Sequence, residues 1–211
     1  NLAEVLSTMR RNYKRQWIDP EGRSYRRSFY ERTHDGGLVD NPTIEHIQSA
    51  IESVRDRPRM QVLELGCGYG RLLGPLSDSG DDEFTGCDVS PDMLSLCPLN
   101  IRTFHWDICT QLGWDGLWDV SFCRGVFMYF TDDEIRSAMQ NVASVTRLAC
   151  IVYEWPEVCA KMATIGDAGV FHFHEIEHRR EGLSPAVSEA RRIHKGNGLN
   201  VVGAENRTTP T

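Results

Sequence analysis

One stretch restricts this chain more than any other: Gln61–Val62–Leu63–Glu64–Leu65–Gly66–Cys67–Gly68–Tyr69–Gly70–Arg71. A short apolar run ends in three glycines at alternate positions. Such a run predicts a buried strand that stops at a tight turn. Glycine there permits positive φ and lets backbone N–H groups come close to a ligand. Leu72 and Leu73 follow at once, so the turn also opens a helix. The next apolar run, Phe84–Thr85–Gly86–Cys87–Asp88, ends in an acid. Strand, glycine turn, helix, strand and acid, in that order, are how a parallel sheet builds a nucleoside site.

The glycine spacing separates two kinds of nucleotide. A dinucleotide fingerprint reads G-x-G-x-x-G, with the last glycine allowing close packing around a pyrophosphate. Here the sixth position is Arg71 and the pattern is G-x-G-x-G. A glycine triplet by itself also serves as an ordinary turn or cap, so the weight rests on its surroundings. Asp88 stands at a strand end, where a carboxylate accepts from both ribose hydroxyls. Ser90–Pro91 reads as a helix N-cap followed by proline at the first helical position. A third run, Ile101–Trp106, leads to Asp107–Ile108, and a fourth, Trp118–Cys123, leads to Arg124–Gly125.

On these residues the chain resembles the class I S-adenosylmethionine-dependent methyltransferases. The resemblance is carried by Leu63–Gly70, by Gly86–Leu94, by the Asp107–Ile108 pair and by Trp118–Asp119–Val120, within roughly residues 60–155. It implies an α/β fold: a three-layer Rossmann-like sandwich, a mostly parallel sheet with helices on both faces, and a helical N-terminal extension. It implies a sheet closed by an antiparallel hairpin. The implied cofactor is S-adenosyl-L-methionine, leaving as S-adenosyl-L-homocysteine. By the same resemblance, Gly66, Gly68 and the backbone at Cys67 hold the methionine and ribose portions, and Glu64 shapes that loop. Asp88 takes the ribose diol, and Val89 and Met93 flank adenine. Asp107 accepts from the adenine amino group, Ile108 lies against the ring, and the Arg124 carbonyl faces the methionine amino group.

Strand and helix patterns alternate along the chain, which predicts parallel strands joined by crossovers. Strands are expected at 61–65, 83–88, 101–106, 118–123 and 149–154, with helices at 70–78, 91–96 and 132–145. Asn41–Pro42–Thr43 starts a helix whose Ile44, Ile47, Ala50, Ile51 and Val54 recur at helical spacing. Residues 1–57 read as a helical cap segment and 58–211 as the cofactor-binding domain. Past Pro156 the signal thins: 158–168 reads as helix or loop, and 171–176 alternates like a strand. Ser184–Ile193 reads as a helix, and 199–203 as the next strand.

Net charge is −7 and unevenly spread. Residues 1–32 hold eight Lys/Arg against four Asp/Glu (+4), and the remainder is −11. An acidic main domain repels phosphate backbones, which disfavours a nucleic-acid substrate. No apolar run nears the ~20 residues that span a bilayer, and Asn1–Glu4 does not begin a signal peptide. The cysteines number seven, with no C-x-x-C and several inside apolar runs. That fits buried free thiols in a reduced, cytoplasmic compartment and no zinc site.

Candidate catalytic residues are Tyr129, Glu154, His172 and His174, placed after the fourth and fifth strands or on the late strand. Each also has an ordinary role open to it, in packing or as a solvated strand face. His172 and His174, with Glu175 or His178, have metal-pair spacing, although such residues more often form one polar face, so no metal is assigned. The aromatics Tyr13, Trp17, Tyr25, Phe29 and Tyr30 suit either a lid over the cofactor or ordinary core. The reading is a methyltransferase acting on oxygen or nitrogen of a small-molecule acceptor, with no membrane partner, and compatible with a homodimer. Alternatives are a non-catalytic cofactor-binding subunit, a nucleic-acid methyltransferase and, last, a nicotinamide-dependent oxidoreductase. After the fourth strand Arg124–Gly125–Val126–Phe127 stands where an Asn/Asp-Pro-Pro-Tyr/Phe signature would have favoured a nucleobase.

Overall fold

A computed structural model describes residues 41–113, 115–165 and 170–175. Its centre is β1 (Gln61–Leu65), whose last four residues are all buried. Around it lie β2 (Glu83–Asp88), β3 (Arg102–His105), β4 (Trp118–Arg124), β5 (Thr146–Glu154) and β6 (Phe171–Glu175). The order across the sheet is β3-β2-β1-β4-β5-β6, and every pairing is parallel. The order reverses direction at β1, so β1 and β4 flank a crevice at their carboxyl ends.

Two helical layers cover the sheet. On one face α1 (Asn41–Glu52) and α2 (Leu73–Ser77) bury Ile47, Ile51, Leu72 and Leu76 against Val62, Val120, Phe122, Ile151 and Tyr153. On the other face lie α4 (Asp132–Val145) and α5 (Pro156–Ile165), while the short α3 (Pro91–Leu94) packs by β2 and β3. Ile135, Ala138, Met139 and Val142 of α4 and Val158 and Met162 of α5 meet Leu63, Leu65, Cys87, Cys123 and Val152. The alternation of Val62 and Leu63 between the two clusters is the period-2 pleat. The fold is the three-layer α/β sandwich the resemblance implied.

Local chemistry fixes the boundaries. Thr131 and Glu134 form a reciprocal capping box, with Asp132 and Asp133 in the first turn, and α4 starts where the sequence predicts. Helix α2 is shorter than expected. Residues 68–72 form turns, and Gly70, Gly74 and Pro75 all lower helix propensity there. Helix α5 begins at Pro156, ahead of the expected start, and strand β5 begins at Thr146, also earlier than expected. Among the described residues the sheet contains no antiparallel strand, and β6 pairs directly with β5. The predicted helix at 184–193, the strand at 199–203 and most of the N-terminal cap lie outside the described residues. So does the lid-or-core alternative for the N-terminal aromatics.

Candidate active site

The glycine turn is built for close approach. Gly66 has φ +66°, and a Cβ added there would lie 2.7 Å from Val126 Cγ2. No side chain fits between the turn and the segment after β4. Gly86 is a second forced position. A Cβ on it would lie 2.6 Å from both Cys67 Sγ and Leu73 Cδ1, so the turn and α2 press directly onto β2.

Asp88 closes the next side. It is 9% exposed, and its two oxygens accept from different N–H groups: Oδ2 from Gly68 at 2.9 Å and Oδ1 from Ser90 at 2.8 Å. Burial pushes the carboxyl above its usual range, although those N–H bonds pull the other way. The same carboxylate thus joins the glycine turn to the start of α3. Ser90 caps that helix by accepting from the Met93 N–H, which sets Met93 beside Gly68. A further side comes from the segment after β3. Asp107 accepts from the Cys109 N–H at 3.0 Å, and Asn141 of α4 donates to the Ile108 carbonyl at 3.1 Å.

The last side is the segment after β4. Gly125 turns at φ +67° and donates to the Tyr153 carbonyl at 2.9 Å. Val126 and Phe127 then donate their N–H groups to one oxygen of Glu154, Oε1, at 2.5 and 2.6 Å. A single 3-10 turn, Phe127–Tyr129, follows and carries Tyr129 to the crevice.

These segments enclose one cavity at the carboxyl ends of β1, β2, β3 and β4. Of the expected cofactor residues, Gly66, Gly68, Asp88, Val89, Met93, Asp107, Ile108 and Arg124 line it; of the catalytic candidates, Tyr129 does. Trp106, Gly125, Val126 and Phe130 also line it and were not singled out from the sequence. A signal existed for Gly125, which ends an apolar strand. The other three read as plain core residues.

Five candidates sit elsewhere. Cys67 is buried with its thiol against β2. Glu64 is buried on β1; burial raises its carboxyl well above the usual range, with Arg71 opposing, and its Oε2 has no hydrogen-bond partner. Glu154 is fully buried behind the Val126–Phe127 segment. His172 and His174 lie on β6 opposite Ile151 and Tyr153, and the His174 ring stacks on Tyr153 at 4.7 Å. Neither histidine lines the cavity. Among the described residues no three His, Cys, Asp or Glu side chains are grouped as metal ligands.

A family profile described as a methyltransferase domain matches residues 62–148, from β1 into β5. That match covers less than half of the chain and agrees with the resemblance read from the sequence. No curated protein matches the chain. Among solved structures it is similar to the plantazolicin methyltransferase BpumL in complex with SAH, at 20% identity and TM-score 0.52. That alignment covers 68% of this chain and 57% of the other. It is also similar to a TehB-like SAM-dependent methyltransferase from Corynebacterium glutamicum, at 16% identity and TM-score 0.55 (76% and 87% covered). A third is the magnesium protoporphyrin IX methyltransferase ChlM from Synechocystis with bound SAM, at 20% identity and TM-score 0.52 (74% and 88% covered). In all, 453 solved chains match, and a scaffold that common hosts many functions, so function has to be argued from this chain's own site.

Proposed function

We propose that this chain is an S-adenosylmethionine-dependent methyltransferase that acts on an oxygen or nitrogen of a small-molecule acceptor. The observation that carries the cofactor side is the convergence of the Gly66–Gly68 turn, Asp88 and Asp107 on one cavity. The cradle fits the cofactor: a Cβ would fill the turn at Gly66, and Asp88 presents a carboxylate at the cavity wall. In this reading Asp88 accepts from the ribose diol, and Val89, Met93 and Ile108 enclose the adenine. Asp107 orders its amino group, and the Arg124 carbonyl faces the methionine amino group. The bound cofactor supplies a methyl group activated by the sulfonium.

The chain's own task is then alignment and exclusion of water. Holding an acceptor lone pair in line with the S–CH₃ bond contributes about 7–11 kcal/mol. Trp106, Val126 and Phe130 give the cavity apolar walls, which suits an organic acceptor. Tyr129 is the one catalytic candidate that reaches the cavity, and its phenol is suited to hold an acceptor hydroxyl or amine by a hydrogen bond. A base is needed only where the acceptor begins protonated. The net charge of −7 argues against a polyanionic acceptor.

Calorimetric titration with S-adenosylmethionine, S-adenosylhomocysteine and NAD in parallel tests the cofactor side. Affinity on the order of micromolar for the sulfur nucleosides and none for NAD is expected. A following screen of small hydroxyl and amine acceptors should show methyl transfer by mass. Transfer only to RNA or DNA would overturn the small-molecule reading.

A further inference from the structure

We propose that Glu154 is a positioning residue for cofactor binding: its buried carboxyl holds the Gly125–Phe130 segment against the glycine turn, and it does so best when ionised. The inference rests on the cofactor site described above and adds to it a residue that does not touch the cavity.

The geometry is an anion nest. Glu154 ends β5 and is fully buried. The Val126 and Phe127 N–H groups converge on its Oε1 at 2.5 and 2.6 Å, and the Met128 N–H bonds the same carboxyl. Successive N–H groups pointing at one oxygen favour a negative charge there. They are also the first N–H groups of the 3-10 turn that carries Tyr129, groups that lack carbonyl partners within the turn. Val126, whose N–H the nest holds, also lines the cavity. Val126 Cγ2 reaches within 2.7 Å of where a Cβ on Gly66 would be, so a shift of Val126 is a shift of the cofactor wall.

The other oxygen makes the residue more than a brace. Oε2 is buried and has no hydrogen-bond partner. Glu154 makes no salt bridge among the described residues, although the Arg124 charge lies near enough to favour its ionised form. The groups around it are Arg124 and Cys123 on β4 and Cys159 on α5, whose thiol faces the Glu154 carbonyl; Glu175 is its register partner on β6. Burial raises the carboxyl to about 7, with the Phe127 and Val126 N–H bonds and the Arg124 charge holding it from rising further. A neutral acid accepts hydrogen bonds more weakly than a carboxylate. Protonation therefore loosens the segment without removing any contact.

Glutamine separates this from plain bracing, because it has the shape of the protonated acid and keeps an acceptor for the nest. Affinity for S-adenosylhomocysteine is measured by calorimetry at pH ~6 and ~8.5 for wild type and Glu154→Gln. Wild type is expected to bind roughly three- to tenfold more tightly at the higher pH. Glu154→Gln is expected to hold the wild type's low-pH affinity at both. Glu154→Ala, which leaves the N–H groups without an acceptor, is expected to bind more weakly at both, and a melting curve checks that it folds. A wild-type affinity that is flat with pH, or an unaltered pH response in Glu154→Gln, overturns the inference. Failure of wild type to bind the nucleoside at any pH instead overturns the cofactor-site reading beneath it.

Discussion

The two ends of the sheet treat their acids in opposite ways. At the amino ends of the strands, Asp119 is buried but bonded to Gln61 N–H at 2.9 Å and to Arg147 Nε at 2.8 Å. Arg147 reaches on to Asp56, and Arg55 forks onto both oxygens of Asp82. At the carboxyl ends Glu64, Asp88 and Glu154 are as buried, yet none makes a salt bridge among the described residues. Their titration splits accordingly. Asp56 is held down at about 2 by its bond from Arg147, and Asp82 falls below its usual range because the Arg55 and Met60 bonds outweigh burial. Burial pushes Glu64, Asp88 and Glu154 up. One end is stitched for stability. The other end holds buried acids without cations, and one of them, Asp88, lines the cavity.

The sharpest test of this contrast is pH. Glu154 binds its proton more tightly folded, at about 7, than its ordinary value of 4.5. Its contribution is therefore complete below the unfolded value and is lost as pH rises through about 7, at a cost of at most about 3 kcal/mol. Asp56 and Asp82 behave in reverse: their contribution is present above the unfolded value and disappears as pH falls below it. Melting of the ligand-free protein should show a loss as pH rises from about 4.5 to about 7 that Glu154→Gln removes, and a separate loss at lower pH that it leaves untouched. Next in size is Asp119→Ala. It strips a backbone N–H and an arginine of their acceptor and should cost about 2 kcal/mol of stability, leaving nucleoside affinity within about twofold. Asp88→Ala should do the converse. Affinity for S-adenosylhomocysteine should drop at least tenfold, about 1.4 kcal/mol, with a smaller melting loss than in Asp119→Ala because burial already opposes the Asp88 charge. Equal melting losses in these two variants would dissolve the distinction between the ends.

How much of this was legible in sequence follows from which signals are local. Strands β1 and β2 read to the residue, since each is an apolar run closed by a turn or an acid. Helix α4 read correctly, and the Thr131–Glu134 capping box that starts it is a local signal. The cavity-lining residues Gly66, Gly68, Asp88 and Asp107 were legible because backbone freedom and strand-end acids are written in residue type. Val126 and Phe130 were not, since an apolar residue looks alike whether it faces core or cavity. Glu154 was noticed as an acid at a strand end. Its partners, however, lie 28 and 27 positions earlier, and only the parallel pairing of β4 with β5 brings them together. The direct pairing of β6 with β5 was equally hidden, because alternation marks a strand without naming its neighbour.

The all-parallel sheet also dictates an order of assembly. No strand here can zip to its neighbour through a tight hairpin; each pairing must first close a long loop. Gln61 at the head of β1 meets Asp119 across 58 positions of chain. Asp88 and the glycine turn come together early, across 20 positions, but the wall opposite them stays unformed until Glu154 has been made and docked. A nascent or refolding chain thus forms the Asp88 side of the cavity before the Val126 side. Such non-local closure favours slow folding, and in refolding experiments nucleoside binding should be the last property to return.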